Sequence, residues 1–358
     1  MRIRGLDFLR GIAIIGVLFR HSDMSNVIVM AGGYGVDLFF VLSGFLVAGL
    51  LFKEYQARGN SNIGRFLIRR GFKIYPAFYI CLIATVLLDA YYFCRPQPTS
   101  SIISEAFFIQ NYRTGVRFHT WSLGVEEQFY FFLAFFVLAA IKFKWIENVK
   151  AMLFTIITFI LIIFCLRLNF SFKHLHNPVP IFASHLKADG LFMGVLLAYI
   201  WNFKPELITK WQQNKISLFV LATLLILPAF VLLPESFFME TIGFNLMHFG
   251  FALLIILVCD KSNEAFVLKN PYLKYIPLAV CFIGVNSYSI YLWHLLVKDV
   301  LYETMKTPNV NSVLFFTSAI VMGVLSALII ENQFMKIADR YFPRPTSLKV
   351  SSTSNNAE

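Results

Sequence analysis

The sequence predicts an all-α integral membrane protein that crosses the bilayer about ten times with both termini in the cytoplasm. Three observations carry that expectation. Of the 358 residues, 58% are hydrophobic and only 14% charged, a balance too apolar for a soluble globule. The apolar residues gather in stretches of about 20, the length a helix needs to cross a hydrocarbon core. The net charge of +11 comes largely from Lys and Arg in short segments between those stretches, where they act as topology signals. We therefore expect no nucleic-acid partner, and membrane lipid as the surroundings.

Spans are expected at 6–24, 34–52, 74–93, 121–141, 150–168, 186–203, 215–233, 241–259, 276–297 and 311–331. The first carries Arg10 and His21, eleven positions apart; at about 100° per residue they share one helix face, about 16 Å apart along the axis. Ionisable groups inside a span mark a pathway or an active site by default. Two plainer uses stay open: Arg10 snorkelling to the headgroups, and His21 closing the end of the span. Met1-Arg-Ile-Arg ahead of an apolar run imitates a secretory signal, but the Arg20-His21 interruption and the lack of a small-residue cleavage site favour a retained span.

After the second span come Lys53, Arg58, Arg65, Arg69, Arg70 and Lys73, whereas the first is followed only by Asp23. This asymmetry places the basic loop, and hence the amino terminus, in the cytoplasm. Lys142, Lys144 and Lys150, then Lys204, Lys210 and Lys215, then Lys261, Lys269 and Lys274 fall on the same side, and Lys336, Arg340 and Arg344 put the carboxyl terminus there too. The expected outer segments 94–120 and 168–187 are also basic, which suits an anionic or sugar-rich acceptor. Residues 344–358 are rich in Ser, Thr and Asn and are expected to be a disordered cytoplasmic tail after a membrane domain over 1–343. No internal repeat suggests an inverted-repeat transporter. Five scattered cysteines have no metal-ligand spacing.

On this topology His21, Asp37, Glu126, Asp189 and His294 fall in the outer half, while Arg10 and the Arg65/Arg69/Arg70/Lys73 cluster fall on the inner side. An inner basic mouth can hold a phosphate-bearing donor such as an acyl-coenzyme A. A histidine beside a carboxylate can take a proton from a hydroxyl. Asp37, Glu126 and Asp189 could equally be helix N-terminal acids facing water.

Four motifs then carry a family resemblance over nearly the whole chain. Leu6-Asp-Phe-Leu-Arg-Gly with His21, Gly35-Val-Asp-Leu-Phe-Phe-Val-Leu-Ser-Gly-Phe, Trp121-Ser-Leu-Gly-Val-Glu-Glu-Gln-Phe-Tyr and Ser287-Tyr-Ser-Ile-Tyr-Leu-Trp-His resemble, in order, the signatures of the membrane-bound acyltransferase 3 family. That resemblance implies an enzyme that acylates extracytoplasmic glycans or other hydroxyl acceptors. It implies His21 as the catalytic residue, and Arg10 with Arg69, Arg70 and Lys73 as the donor site. Glu126 belongs to the essential polar set, and Glu126 or Asp37 would orient the His21 ring. Trp121, Ser122, Tyr130, Asp189 and His294 are expected to contact substrate. Two positions depart from the pattern: Lys73 where an Arg-x-x-Arg motif would have its second Arg, and Lys187 rather than Arg before Asp189. Both keep charge and lose the bidentate fork. Gln333 stands where a closing motif would have proline. The hydrolase-like domain some relatives append is not in the sequence, so transfer would be completed by the membrane domain or a separate partner.

The expected activity is O-acyl transfer in a bacterial inner membrane, with acetyl-coenzyme A as donor substrate, no permanently bound cofactor and no metal. The acceptor is a hydroxyl of a cell-surface polysaccharide or its lipid-linked precursor. Rivals are a longer acyl chain, a non-carbohydrate acceptor, or covalent catalysis through Ser43 or Ser122. A transporter of sugar or acylated substrate is the rival of a different class.

Overall fold

A computed structural model of the protein describes residues 3–24, 31–176, 181–259, 275–306 and 310–343. The 344–358 tail and the Lys261/Lys269/Lys274 segment lie outside the described residues. The described chain is helical throughout: α1 (Arg4–Arg20), α2 (Gly35–Arg58), α3 (Ile63–Tyr91), α4 (Trp121–Lys142), α5 (Val149–Lys173), α6 (Asp189–Phe203), α7 (Lys215–Ile226), α8 (Phe244–Val258), α9 (Tyr275–Val285), α10 (Ser287–Met305), α11 (Ser312–Ser326) and α12 (Asn332–Tyr341).

Among the described residues, six helical segments are long and apolar enough to cross a membrane, and eight if each of two bent pairs is one span. The two further spans expected from sequence fall on α1, with 17 residues, and on α7, with 12. The 276–297 stretch is not one helix. It breaks at Asn286, and α9 and α10 meet there at 77°. Asn286 explains the break locally, because its amide donates back to the Phe282 carbonyl at 2.9 Å and competes with the backbone.

The basic stretch after α2 differs from the expected loop. The Asn62 side chain accepts the Arg65 backbone N–H at 2.9 Å and caps α3, so Arg65, Arg69, Arg70 and Lys73 all ride on that 29-residue helix. On that helix Arg70 and Lys73 turn to one cavity, while Arg69 is drawn aside to Asp339 and the Phe342 carbonyl. At the far end, a five-residue π-helical segment, Ala327–Glu331, joins α11 to α12, and Gln333 lies inside α12.

Two close helix approaches set the core. A Cβ at Gly44 would sit 2.0 Å from the Leu191 carbonyl, and one at Gly194 only 2.2 Å from the Val41 carbonyl, so α2 and α6 touch backbone to backbone. Gly284 would likewise meet the Asp7 carbonyl at 1.8 Å, where α9 packs on α1. Small residues allow such contacts in lipid, where hydrophobic burial between helices offers little drive. Side chains such as Phe131, Phe135, Phe154 and Leu161 stay exposed on the outer faces of α4 and α5, as a lipid-facing surface requires.

Candidate active site

Two cavities lie back to back inside the bundle. The first, about 200 Å³, is bounded by Arg20, His21, Trp121, His119, Lys187 and Glu240 among others. The second, about 130 Å³, is bounded by Arg10, Ser43, Arg70, Lys73, Ser122 and Glu126 among others. Val36 and Tyr291 line both. They form the wall between them. Tyr291 is held rigidly: its hydroxyl donates to the His119 carbonyl at 2.5 Å and accepts from Ser122 Oγ at 2.7 Å.

The helical spacing that put Arg10 and His21 on one face has a concrete outcome. Both side chains enter the interior, each bounding a different cavity. Arg10 also pairs with Asp7 on its own helix at 3.0 Å.

His21 sits at the carboxyl end of α1, where α10 grips it twice. Lys298 donates to the His21 carbonyl at 2.5 Å and to Asp23 at 2.8 Å. One turn earlier, His294 Nε2 lies 3.2 Å from His21 Nδ1. The His294 Nδ1 is 2.5 Å from the Tyr291 carbonyl, and His21 Nδ1 is 3.0 Å from the Val17 carbonyl. Neither Asp37 nor Glu126 meets the His21 ring, contrary to the expected carboxylate partner. His294 itself is fully buried and does not bound the cavity. The His119 ring packs edge-on against His294, with centroids 4.8 Å apart.

Asp37 instead belongs to a buried charge cluster. It accepts from Lys187 at 2.9 Å and lies 3.1 Å from His248 Nε2, whose Nδ1 faces Asp189 at 3.4 Å. Asp189 pairs with Arg167 at 2.7 Å. Asp189 is therefore paired, though to Arg167 rather than to the basic residue two positions before it. It bounds neither cavity. Such balance is what buried charges need, since an unpaired one in the interior costs several kcal/mol. Of the cluster, Asp37 and Lys187 reach the first cavity. The alternative use of Asp37 and Asp189 as water-facing helix caps does not hold, because both are buried.

Around the second cavity the polar groups are linked in series. Ser43 hydrogen-bonds Tyr130, the Tyr130 hydroxyl donates to Glu126 at 2.7 Å, and Arg70 lies 3.7 Å from Glu126 while its guanidinium covers the Tyr130 ring. Lys73 reaches Glu331 at 3.7 Å, and Ser289 donates to the same carboxylate at 3.2 Å. The expected outer-half position of Glu126 thus resolves differently. Five residues into α4, about 7.5 Å along its axis, its carboxylate turns to the Arg10/Arg70 cavity. Arg69 does not reach that cavity: it donates to the Phe342 carbonyl at 2.6 Å and pairs with Asp339, fastening α12 to α3. Tyr130 stands behind Ser43 and Glu126 rather than in the lining. Trp121 bounds the first cavity and packs against Phe40 and Phe182.

The segment before α4 covers the first cavity with Phe118 and His119. It is pinned by Arg117, which pairs with Asp89 and Asp299, and by Glu105, which accepts from the Val116 N–H at 2.9 Å. Burial pushes the Glu105 carboxyl above the ordinary glutamate range.

Arg167, His248 and Lys298 were not singled out from sequence. A signal existed for the first two, since each is ionisable within an expected span.

A helical membrane bundle with a basic cavity set against a histidine-bearing one is a machine for polar chemistry inside its own helices. The chain belongs to the acyltransferase 3 family, whose model, described as an acyltransferase domain, matches residues 3–332. It is 30% identical over 364 residues to a Staphylococcus aureus (strain COL) protein provisionally named an O-acetyltransferase, covering 93% of this chain and 57% of that one. It is 27% identical over 363 residues to the peptidoglycan O-acetyltransferase OatA of Listeria monocytogenes, covering 93% and 56%, and 29% identical over 314 residues to O-acetyltransferase OatA of Staphylococcus aureus (strain NCTC 8325 / PS 47), covering 81% and 49%. The chain spans about half the length of the curated relatives it matches. No solved structure matches.

Proposed function

We propose that this acyltransferase moves an acetyl group from acetyl-coenzyme A at the cytoplasmic face to a hydroxyl of an extracytoplasmic cell-surface glycan or its lipid-linked precursor. Its place would be a bacterial inner membrane, with ten crossings and both termini inside. The observation that carries the reading is the pair of cavities meeting at Val36 and Tyr291. A donor that reaches the wall from the basic side presents its thioester to an acceptor from the histidine side.

On the donor side, Arg10, Arg70 and Lys73 supply cations for phosphate, two of them guanidiniums able to form parallel hydrogen bonds. Glu126 holds Arg70 and Tyr130 in place, so its part is to shape the donor cavity. On the acceptor side, the Trp121 indole offers a face for a sugar ring, and His21 is the general base. It takes the hydroxyl proton as the oxygen attacks the thioester carbonyl, a contribution of about 10²–10⁴-fold. Asp37 acts at one remove, by holding Lys187 at the cavity edge. The names of the OatA relatives favour a cell-wall glycan as acceptor.

The test uses inner-membrane vesicles given radiolabelled acetyl-coenzyme A in the absence of any ion gradient. Labelled glycan is the expected product, and its loss in His21→Ala with donor binding intact supports the base assignment. Labelling that requires a gradient, or full labelling in His21→Ala, would sink the reading.

A further inference from the structure

The His294 ring meets the proposed base directly, with centroids 4.9 Å apart, and does not line the cavity that His21 bounds. Its hydrogen bonds determine which nitrogen of His21 can act. A carbonyl oxygen only accepts, so the 2.5 Å contact with the Tyr291 carbonyl puts the His294 proton on Nδ1. Its Nε2 is then a lone pair. The same rule at the Val17 carbonyl, 3.0 Å away, puts the His21 proton on Nδ1 as well. That N–H lies 3.2 Å from His294 Nε2 and is shared between the two acceptors. The remaining nitrogen of His21, Nε2, is left unprotonated.

We infer that His294 is a positioning residue that locks His21 in the Nδ1–H tautomer, so that His21 Nε2 is the atom that receives the acceptor proton. The inference rests on the general-base reading of His21. In the transfer, the acceptor oxygen bonds to the acyl carbon as its proton passes to Nε2. The carbon–sulfur bond then breaks, and the proton on Nε2 neutralises the departing coenzyme A thiolate. His21 ends as it began, with its proton on Nδ1.

Three features support a positioning role over plain packing. His294 is fully buried and its ring nitrogens are both engaged. Lys298, one turn on, holds the His21 backbone from the same helix face, so α10 constrains ring and main chain together. Tyr291, whose carbonyl sets the His294 tautomer, also forms the wall between the cavities. About two turns of helix, from Tyr291 to Lys298, thus fix the base relative to the place where the thioester must sit.

The experiment compares His294→Gln, His294→Leu and His21→Ala by steady-state acetyl transfer in vesicles. Gln places an amide oxygen near the position of Nε2 and can accept from His21, whereas Leu fills similar space without an acceptor. His294→Leu is expected to lower kcat about 10–100-fold, a large part of a general-base contribution, with KM for acetyl-coenzyme A unchanged. His294→Gln is expected to recover most of that loss. A Leu variant with the parent's kcat, or a Gln variant as impaired as Leu, overturns the positioning role while leaving His21 as base. Full activity in His21→Ala instead removes the reading on which it rests.

Discussion

Lys187 Nζ and Asp37 Oδ1 stand 2.9 Å apart with both side chains about 5% exposed, which ties the short segment before α6 to the start of α2. Breaking such a pair by removing one member typically costs about 3–5 kcal/mol, because the other charge is left buried. We expect Lys187→Met to lower the unfolding temperature in detergent clearly, and the double variant Lys187→Met/Asp37→Asn to recover part of the loss. Equal destabilisation of the single and double variants would show that the two charges are not coupled.

Arg10 and Arg70 differ from Arg69 in what they face. Replacing either of the first two with Ala should weaken acetyl-coenzyme A binding about tenfold or more, the scale of lost charge-assisted hydrogen bonds. Arg69→Ala should leave donor affinity near the parent value and speed hydrogen exchange across α12, since its partners are the Phe342 carbonyl and Asp339. Donor titrations and exchange measurements on the three variants decide this.

Ser43 is bonded to Tyr130, which gives its hydroxyl a structural use. With direct transfer to the acceptor, Ser43→Ala should retain activity within about tenfold, consistent with loss of one hydrogen bond. No acetyl group should remain on the protein after denaturation of a donor-loaded His21→Ala sample. Stable label on a peptide containing Ser43 would establish an acyl-enzyme instead.

Gly44 permits the contact on which α2 and α6 depend. Gly44→Ala would press a methyl group to 2.0 Å from the Leu191 carbonyl, so the helices must part. Destabilisation of more than about 1 kcal/mol is expected, the lower end for overpacking. Asp37 sits on α2 and Lys187 immediately before α6, so transfer activity should fall as well.

The topology has a native reporter. Cys94 is an exposed free thiol in the 94–120 segment, proposed to face outward. A membrane-impermeant maleimide should label it in intact cells, and Cys94→Ser should remove that label. Labelling that appears only after the membrane is opened would reverse the orientation.

Much of the site was legible before folding. The eleven-residue spacing of Arg10 and His21 placed both in the interior, because helix periodicity converts spacing into direction. The Trp121 to Tyr130 stretch located Glu126, Ser122 and Trp121, which do line the two cavities. Composition alone dictated a helical membrane protein, since lipid leaves backbone polar groups no partner outside a helix or a closed barrel.

Partnership was not legible. A sequence states how far along a helix a charge lies, and on which face, but not which neighbouring helix meets that face. Asp37 was expected near His21 and instead turned to Lys187 and His248, because the Gly44 and Gly194 contact brings α2 against α6. Glu126 was expected to orient the histidine and instead joined Arg70, because α3 carries its basic residues on a helix that continues past Arg70 toward α4. The break at Asn286 turned one expected span into two helices and aimed His294 at His21. Periodicity and apolar length are local properties of the chain and can be read from it; the pairing of buried charges is settled by backbone-to-backbone distance between helices, which only the packed structure decides.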